Sequence, residues 1–359
     1  MKLHELGWNA RFEAQWAAEP RAGCVPARVV SQQRKFFRVA GEFGEVWAEV
    51  TGRLRHERGG AGDYPAVGDW VACEGRPGEE RGAIHAVLPR HSKFSRAAAG
   101  KRTEEQVVAA NVDTVFLVTS LNRDLNPRRM ERYLALVLES GAAPVVVLNK
   151  SDLCEDSGAL VTEMERVTLG VAVHAMSAAT GDGVEALAAH LRAGVTVALL
   201  GSSGVGKSAL LNRLAGRDLQ AVREIRSGDD RGRHTTTARE LFRLPGGALI
   251  IDTPGLRELQ LWEAGEGLGA TFADIQELAA QCRFRDCTHA SEPGCAVRAA
   301  IADGSLDEAR LESLRKLERE QEFLLRKLDV AAQQAAKQKQ KELHKQIREM
   351  YKRPRGEQR

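Results

Sequence analysis

The chain has 359 residues, too many for one small domain, and predicts two or three units that each bury a core. Hydrophobic residues at 43% fit a folded globular protein, and a formal charge of +3 is too small for the total to argue a polyanionic partner, so only local charge is informative. No stretch approaches the roughly 20 apolar residues of a membrane span, and Met1-Lys2-Leu3-His4-Glu5 opens no signal-peptide core, which predicts a cytoplasmic protein with no membrane association.

In chain order, residues 1–24 read as a leader and 25–95 as an OB-fold barrel. Short apolar runs at 27–30, 36–39, 46–50, 67–71 and 84–88 are separated by glycine and charge, and the OB-fold is the commonest five-stranded barrel. Such barrels bind single-stranded or structured RNA, while others only pack against neighbours; both readings stand at this stage. Arg90, Lys93, Arg96, Lys101 and Arg102 then follow with no acid over 90–102.

Residues 104–262 alternate strands and helices. Apolar runs at 115–119, 145–148, 171–176, 195–200 and 248–252 predict a mostly parallel α/β sheet, and Asn126-Pro127 with Gly141 marks the start and stop of a helix. Ligands of such sheets bind at the carboxyl ends of strands, where every motif below falls. Asn149-Lys150-Ser151-Asp152 has the form of the GTPase guanine loop. The Asp152 carboxylate can accept from guanine N1–H and the exocyclic amine, a donor pair adenine lacks. Asn149 is expected to address the other edge of the base, the Lys150 stem to pack on the ring, and Ser177-Ala178 to buttress guanine through backbone N–H groups.

Gly201-Ser202-Ser203-Gly204-Val205-Gly206-Lys207-Ser208 is G-x-x-x-x-G-K-S between a strand and the helical pattern that opens at Ala209. Its glycines let the backbone curl around phosphate, Lys207 reaches the β and γ phosphates, and Ser208 ligates Mg²⁺. Downstream, Arg233-His234-Thr235-Thr236-Thr237 lies in a polar stretch suited to a first switch, with Thr236 or Thr237 as an Mg²⁺ ligand. In Asp252-Thr253-Pro254-Gly255, Asp252 is expected to hold the Mg²⁺ shell and the Gly255 N–H to sense the γ-phosphate. Guanine loop, phosphate loop, first switch and second switch therefore occur in circularly permuted order. A pocket depends on where strand ends lie and not on which loop joins them, so the permuted chain can build the same site.

The second switch leads straight into Cys282, Cys287, His289 and Cys295, a C-x4-C-x-H-x5-C pattern with the composition of a closed tetrahedral Zn²⁺ site. Unrelated free thiols and a redox role are the alternatives. Residues 263–330 are read as a mostly helical zinc-binding domain, its last helix opened by a capping box at Ser305-Leu306-Asp307-Glu308. The tail, 331–359, carries nine Lys or Arg from 337 onward against three Glu and reads as a solvated segment or an arm that orders on RNA.

With Gly68-Asp69-Trp70-Val71 in the barrel and Gly232-Arg233-His234-Thr235-Thr236-Thr237 before the second switch, this motif order resembles the small-ribosomal-subunit-dependent GTPase A family. The resemblance implies a multidomain protein: OB-fold barrel, circularly permuted P-loop GTPase and zinc domain. It implies docking on the 30S subunit and its 16S rRNA late in assembly, with hydrolysis of GTP to GDP stimulated by the subunit and coupled to release; nothing in the sequence suggests self-association, and a monomer is expected. Basic residues at 90–102 and beyond 337 would then meet rRNA phosphates. His234 would position the attacking water; its alternative is a polar switch residue with no part in the chemistry. Leu256 stands where Ras-like enzymes place a glutamine, so unassisted hydrolysis is expected at the ~10⁻⁴ to 10⁻³ per second of unstimulated enzymes of that type. Two other readings remain: a GTP-gated RNA-binding switch with negligible hydrolysis, and a permuted GTPase of large-subunit assembly.

Overall fold

In β3 (Gly44–Val50) Val46, Ala48 and Val50 turn inward while Glu45, Trp47 and Glu49 face out, the period of two that one buried sheet face demands. With β1 (Val25–Gln33), β2 (Phe36–Gly41), β4 (Trp70–Glu74) and β5 (Arg81–Val87) it forms a five-stranded barrel. The strands run β1-β2-β3-β5-β4, and β4 pairs back to β1 to close the ring; a short helix sits between β3 and β4 at Gly52–Glu57. The computed structural model describes residues 2–33, 35–57, 61–75, 81–97, 105–121, 125–216, 239–252 and 266–327. Lys101, Arg102, His234, Thr236, Thr237, Gly255, Leu256 and the tail 331–359 lie outside the described residues.

The leader is structured. A 3₁₀ turn, Leu3–Leu6, leads to helix α1 (Ala10–Ala18), whose Asn9 cap accepts from the Arg11 and Phe12 N–H groups. Phe12 is buried, and the Trp8 ring stands edge-on to Trp70 at 4.7 Å, so this segment belongs to the hydrophobic core and not to a free arm. A second unforeseen element is the two-stranded hairpin β6 (Lys93–Ala97) and β7 (Glu105–Ala110).

The α/β unit follows with β8 (Thr114–Ser120), β9 (Ala143–Asn149), β10 (Val173–Ala175), β11 (Thr196–Leu200), β12 (Arg239–Arg243) and β13 (Leu249–Asp252). Their order is β10-β9-β8-β11-β13-β12; all neighbours are parallel except β12, which runs antiparallel to β13. Taking the short helix at Gly52–Glu57 as α2, the next helices are α3 (Pro127–Ser140), α4 (Ser157–Thr168) and α5 (Lys207–Ala215). Helix α3 begins and ends where its sequence signals lie: Asn126 accepts from the Arg129 N–H, Pro127 is the first helical residue, and Gly141 takes a left-handed φ of 86°.

Barrel and α/β sheet are spliced. β1 also pairs antiparallel with β12 through Ser31↔Glu240 and Gln32↔Arg239, making one eleven-stranded sheet. At that junction Arg28 is fully buried. Its guanidinium donates to Leu6 O (2.5 Å), Gly68 O, Asn111 O (both 3.2 Å) and Thr196 Oγ1 (2.8 Å), joining leader, barrel and α/β unit. Burial lowers the Arg28 pKa to about 10, with Asp113 and Asp69 nearby supporting the cation.

The last helices, Glu266–Thr271, Ala273–Ala279, Ala296–Ala302 and 308–327, pack on α3 and α4, and Leu268, Phe272, Val297, Leu311 and Leu317 join the same apolar cluster as Leu134 of α3. The capping box at Ser305 does not form. Ser305 Oγ and the Leu306 N–H are both drawn back to Ala300 O, so the helix starts after Asp307, whose carboxylate accepts the Ala309 N–H at 3.0 Å. The basic stretch also differs from expectation. Arg90 forks onto Asp69 at 2.8 and 2.7 Å and donates to Gly62 O and Tyr64 O, so its charge is spent inside the fold, and Lys93 pairs with Glu105 at 3.2 Å.

Candidate functional site

The motif-bearing loops meet at the carboxyl ends of β8, β9, β11 and β13, and glycine lets them approach. Gly201, just past β11, has a φ of 157°, and a Cβ there would sit 2.0 Å from Val118 O. Gly206 has a φ of 95°, and its Cβ would fall 2.2 Å from Asn149 Nδ2. Any side chain at either position would push the phosphate loop off the strand or off the guanine loop. Helix α5 starts at Lys207, directing its N-terminal N–H groups and positive dipole end into the loop, while Ser208 and Ala209 are exposed at its rim. Lys207 Nζ donates to Gly201 O (2.7 Å) and Ser202 O (2.5 Å), and Ser203 and Gly204 are exposed while Val205 is buried beneath them.

The buried Asn149 carboxamide is a staple: Nδ2 donates to Val205 O at 2.7 Å and Oδ1 accepts the Ala178 N–H at 2.9 Å, which leaves one N–H of the amide for the edge of a base. One side chain thus joins the phosphate loop to the loop at 177–178. The Ser177 N–H likewise donates to Asp182 O (2.9 Å), so both N–H groups expected to face guanine serve the shape of their loop. Lys150 takes a left-handed φ of 65° and its Nζ donates to Gly204 O at 2.8 Å. Ser151 donates its N–H to Met176 O at 3.1 Å, and the turn Ser151–Leu153 leaves the Asp152 carboxylate exposed at the rim. Asp252 ends β13, half-buried, two strands from the guanine loop across β11 and β8.

Two residues here escaped sequence reasoning. Arg213, on α5, donates to Ala178 O and Ala179 O (3.2 and 2.5 Å), closing the ring of loops. Arg129, on α3, donates to Ser202 Oγ at 2.5 Å. Neither belongs to a motif; Arg213 falls six residues after Lys207, on the helix the phosphate loop opens, which is the one signal available.

The second centre lies in the loop before helix Ala296–Ala302. The ligand atoms of Cys282, Cys287, His289 and Cys295 all lie within 4.8 Å of one another. Cys282 and Cys295 sulfurs are 3.8 Å apart, and His289 Nδ1 is 3.6 and 3.4 Å from them. A regular tetrahedron with Zn–S of about 2.3 Å and Zn–N of about 2.05 Å has edges of about 3.8 and 3.6 Å, so these residues fit a Zn²⁺ ion. Backbone supports the cradle: His289 has a φ of 58°, and the Arg298 N–H donates to Cys295 Sγ at 3.4 Å. Burial pushes the Cys287 thiol up to about 11, whereas at Cys282 burial is outweighed by the Val297 and Ala296 N–H groups and the thiol lies below its ordinary value. Four donors fill the coordination shell, which suits a structural ion.

Comparison with known proteins agrees with this architecture. The family model described as RsgA GTPase matches residues 87–262, and a second, described as 50S ribosome-binding GTPase, matches 196–355. A small ribosomal subunit biogenesis GTPase RsgA of Opitutus terrae is 50% identical over 353 residues, covering 96% of each chain. Its namesake in Methanosarcina acetivorans is 43% identical over 94% of this chain and 90% of its own. Among solved structures, YjeQ from Thermotoga maritima superposes with a TM-score of 0.62 at 29% identity over 83% of this chain and 98% of its own. YloQ, a circularly permuted GTPase, gives 0.59 at 25% identity over 84% and 96%.

Proposed function

Since the chain belongs to the RsgA GTPase family, we propose that it hydrolyses GTP in the biogenesis of the small ribosomal subunit, using the cradle built on β8, β9, β11 and β13. The observation that carries the reading is the Asn149 staple, which ties loops from three separate chain segments into one pocket. Asp152 at its rim selects guanine over adenine, and Lys207 with the α5 N-terminus holds the phosphates. Lys207 Nζ lies on two loop carbonyls, within the loop where phosphate oxygens would take up its donors. Ser208, Asp252 through its shell, and Thr236 or Thr237 would hold Mg²⁺, which would supply neutralisation of charge developing on the phosphates. His234 positions the attacking water and the Gly255 N–H senses the γ-phosphate.

Boundaries follow the same reading: barrel 25–95, permuted GTPase domain 104–262, zinc-binding helical domain 263–330 and basic tail 331–359. The 16S rRNA is the proposed contact of the barrel, where Phe36 and Trp47 are exposed on the outer face and Trp47 pairs in register with Arg81. Zn²⁺ on Cys282, Cys287, His289 and Cys295 fixes the loop that joins the C-terminal helices. The factor acts as a cytoplasmic monomer.

Co-sedimentation with separated 30S and 50S subunits, in a non-hydrolysable GTP analogue, tests the partner: retention on 30S alone is expected, and equal retention on 50S would refute it. Asp152→Asn should abolish the preference for GTP over ATP. His234→Ala should keep GTP affinity and lose subunit-stimulated turnover; unchanged stimulation would remove His234 from the mechanism.

A further inference from the structure

Arg129 occupies the first turn of α3, where Asn126 and Pro127 fix the helix start. Its Nη1 donates to the Ser202 hydroxyl at 2.5 Å, while the Ser202 carbonyl accepts from Lys207 Nζ at 2.5 Å. Two cations from elements 73 and 5 residues away thus grip the same residue of the phosphate loop. Folding of the loop does not require this second cation, because Gly201, the Asn149 bond to Val205 O and the Lys150 bond to Gly204 O already set its shape. Other charged residues of α3 are held by the C-terminal helices. Arg128 pairs with Asp307, Arg132 with Glu320, and Glu131 accepts from Arg310 at 2.9 Å, so the C-terminal helices hold the helix that holds the loop.

We infer that Arg129 is a positioning residue for GTP hydrolysis: through the Ser202 hydroxyl it fixes the front of the phosphate loop, from a helix clamped by the C-terminal region. This rests on the GTPase reading of the pocket. Its signature is an effect on turnover that exceeds the effect on binding, since the loop's other anchors still bind the nucleotide.

The test compares full-length wild type, R129A, R129K, S202A and R129A/S202A. Fluorescent GDP affinity is measured for each, with kcat and KM for GTP in the presence of 30S subunits. R129A should bind GDP within about twofold of wild type and lose roughly tenfold in kcat with little change in KM. S202A should reproduce most of that loss, the double variant should be no slower than R129A, and R129K should recover part of the rate. Losses in R129A and S202A that multiply in the double variant, or an equal fall in GDP and GTP affinity in R129A, would overturn the inference. Should R129A fail to fold, wild-type kcat in both R129K and S202A would overturn it as well. Failure of wild type to bind GDP would instead refute the GTPase reading.

Discussion

Two buried arginines hold this molecule together, and they do it differently. Arg28, between barrel and α/β sheet, spends its donors on three carbonyls and a hydroxyl, all neutral. Arg310, between the C-terminal helices and α3, forks onto Asp274 at 2.8 and 3.0 Å and meets Glu131, which also accepts from Arg128 at 2.5 Å. Neutral acceptors are directional and indifferent to salt, and the Arg28 junction is reinforced by the β1–β12 ladder. An ion-pair network is held by charge, and this one is buried enough to be screened little by salt. The barrel junction thus rests on a strand ladder and neutral acceptors, the C-terminal junction on paired charges.

The largest expected effect is Arg28→Ala, which takes the guanidinium donor from Leu6 O, Asn111 O and Thr196 Oγ1 while Gly68 O keeps Asn111 Nδ2; by analogy with breaking a buried polar network it should cost about 3–5 kcal/mol, read by denaturant unfolding. Arg28→Lys should recover little, since one ammonium cannot span a guanidinium's fork. Glu131→Gln should cost less, about 2–3 kcal/mol, because Arg310 keeps Asp274 and two carbonyls. Hydrogen exchange should localise that loss to the C-terminal helices; loss spread equally into the barrel would erase the contrast between the junctions.

A pH titration sharpens the comparison from the barrel side. At Asp113 burial works to raise the pKa, but the His91 side chain, the Thr196 N–H and Arg28 outweigh it, so the folded value lies below the ordinary 3.8. A depressed carboxylate contributes stability that is fully present above pH 3.8 and is lost as pH falls through the folded value. Asp113→Asn should flatten that acid limb of the stability curve. Zinc binding should weaken as pH falls, because the thiols must lose protons to bind the ion, and a chelator should loosen residues 282–295 without melting the barrel. The smallest effect is expected for Arg132→Ala, whose pair with Glu320 is about one-third exposed: below about 1 kcal/mol.

What could be read in the sequence was what is encoded locally. Asn126-Pro127 and Gly141 delimit α3, and the four metal donors lie within fourteen residues, so short spacing alone exposes them. The groups that join the regions were invisible because their partners are remote: Arg28 reaches Thr196 across 168 residues and Arg310 reaches Glu131 across 179. The same limit explains the errors. Ser305 had the right spacing for a capping box but a nearer acceptor in Ala300 O, and Arg90 looked like an exposed cation until Asp69 claimed it. Asn149 was recognised, but its work as a staple depends on where Val205 and Ala178 arrive in space.

The pairing of β1 with β12 means that the barrel is no detachable cassette. Removing residues 1–97 would bare the β12 backbone as a raw sheet edge beside the apolar Leu241 and Ile251, the kind of template on which chains stack. Arg239 and Glu240, the two positions β1 covers, would be left as the charged part of that rim, and a truncated GTPase domain would need a substitute strand there to restore the lost pairing.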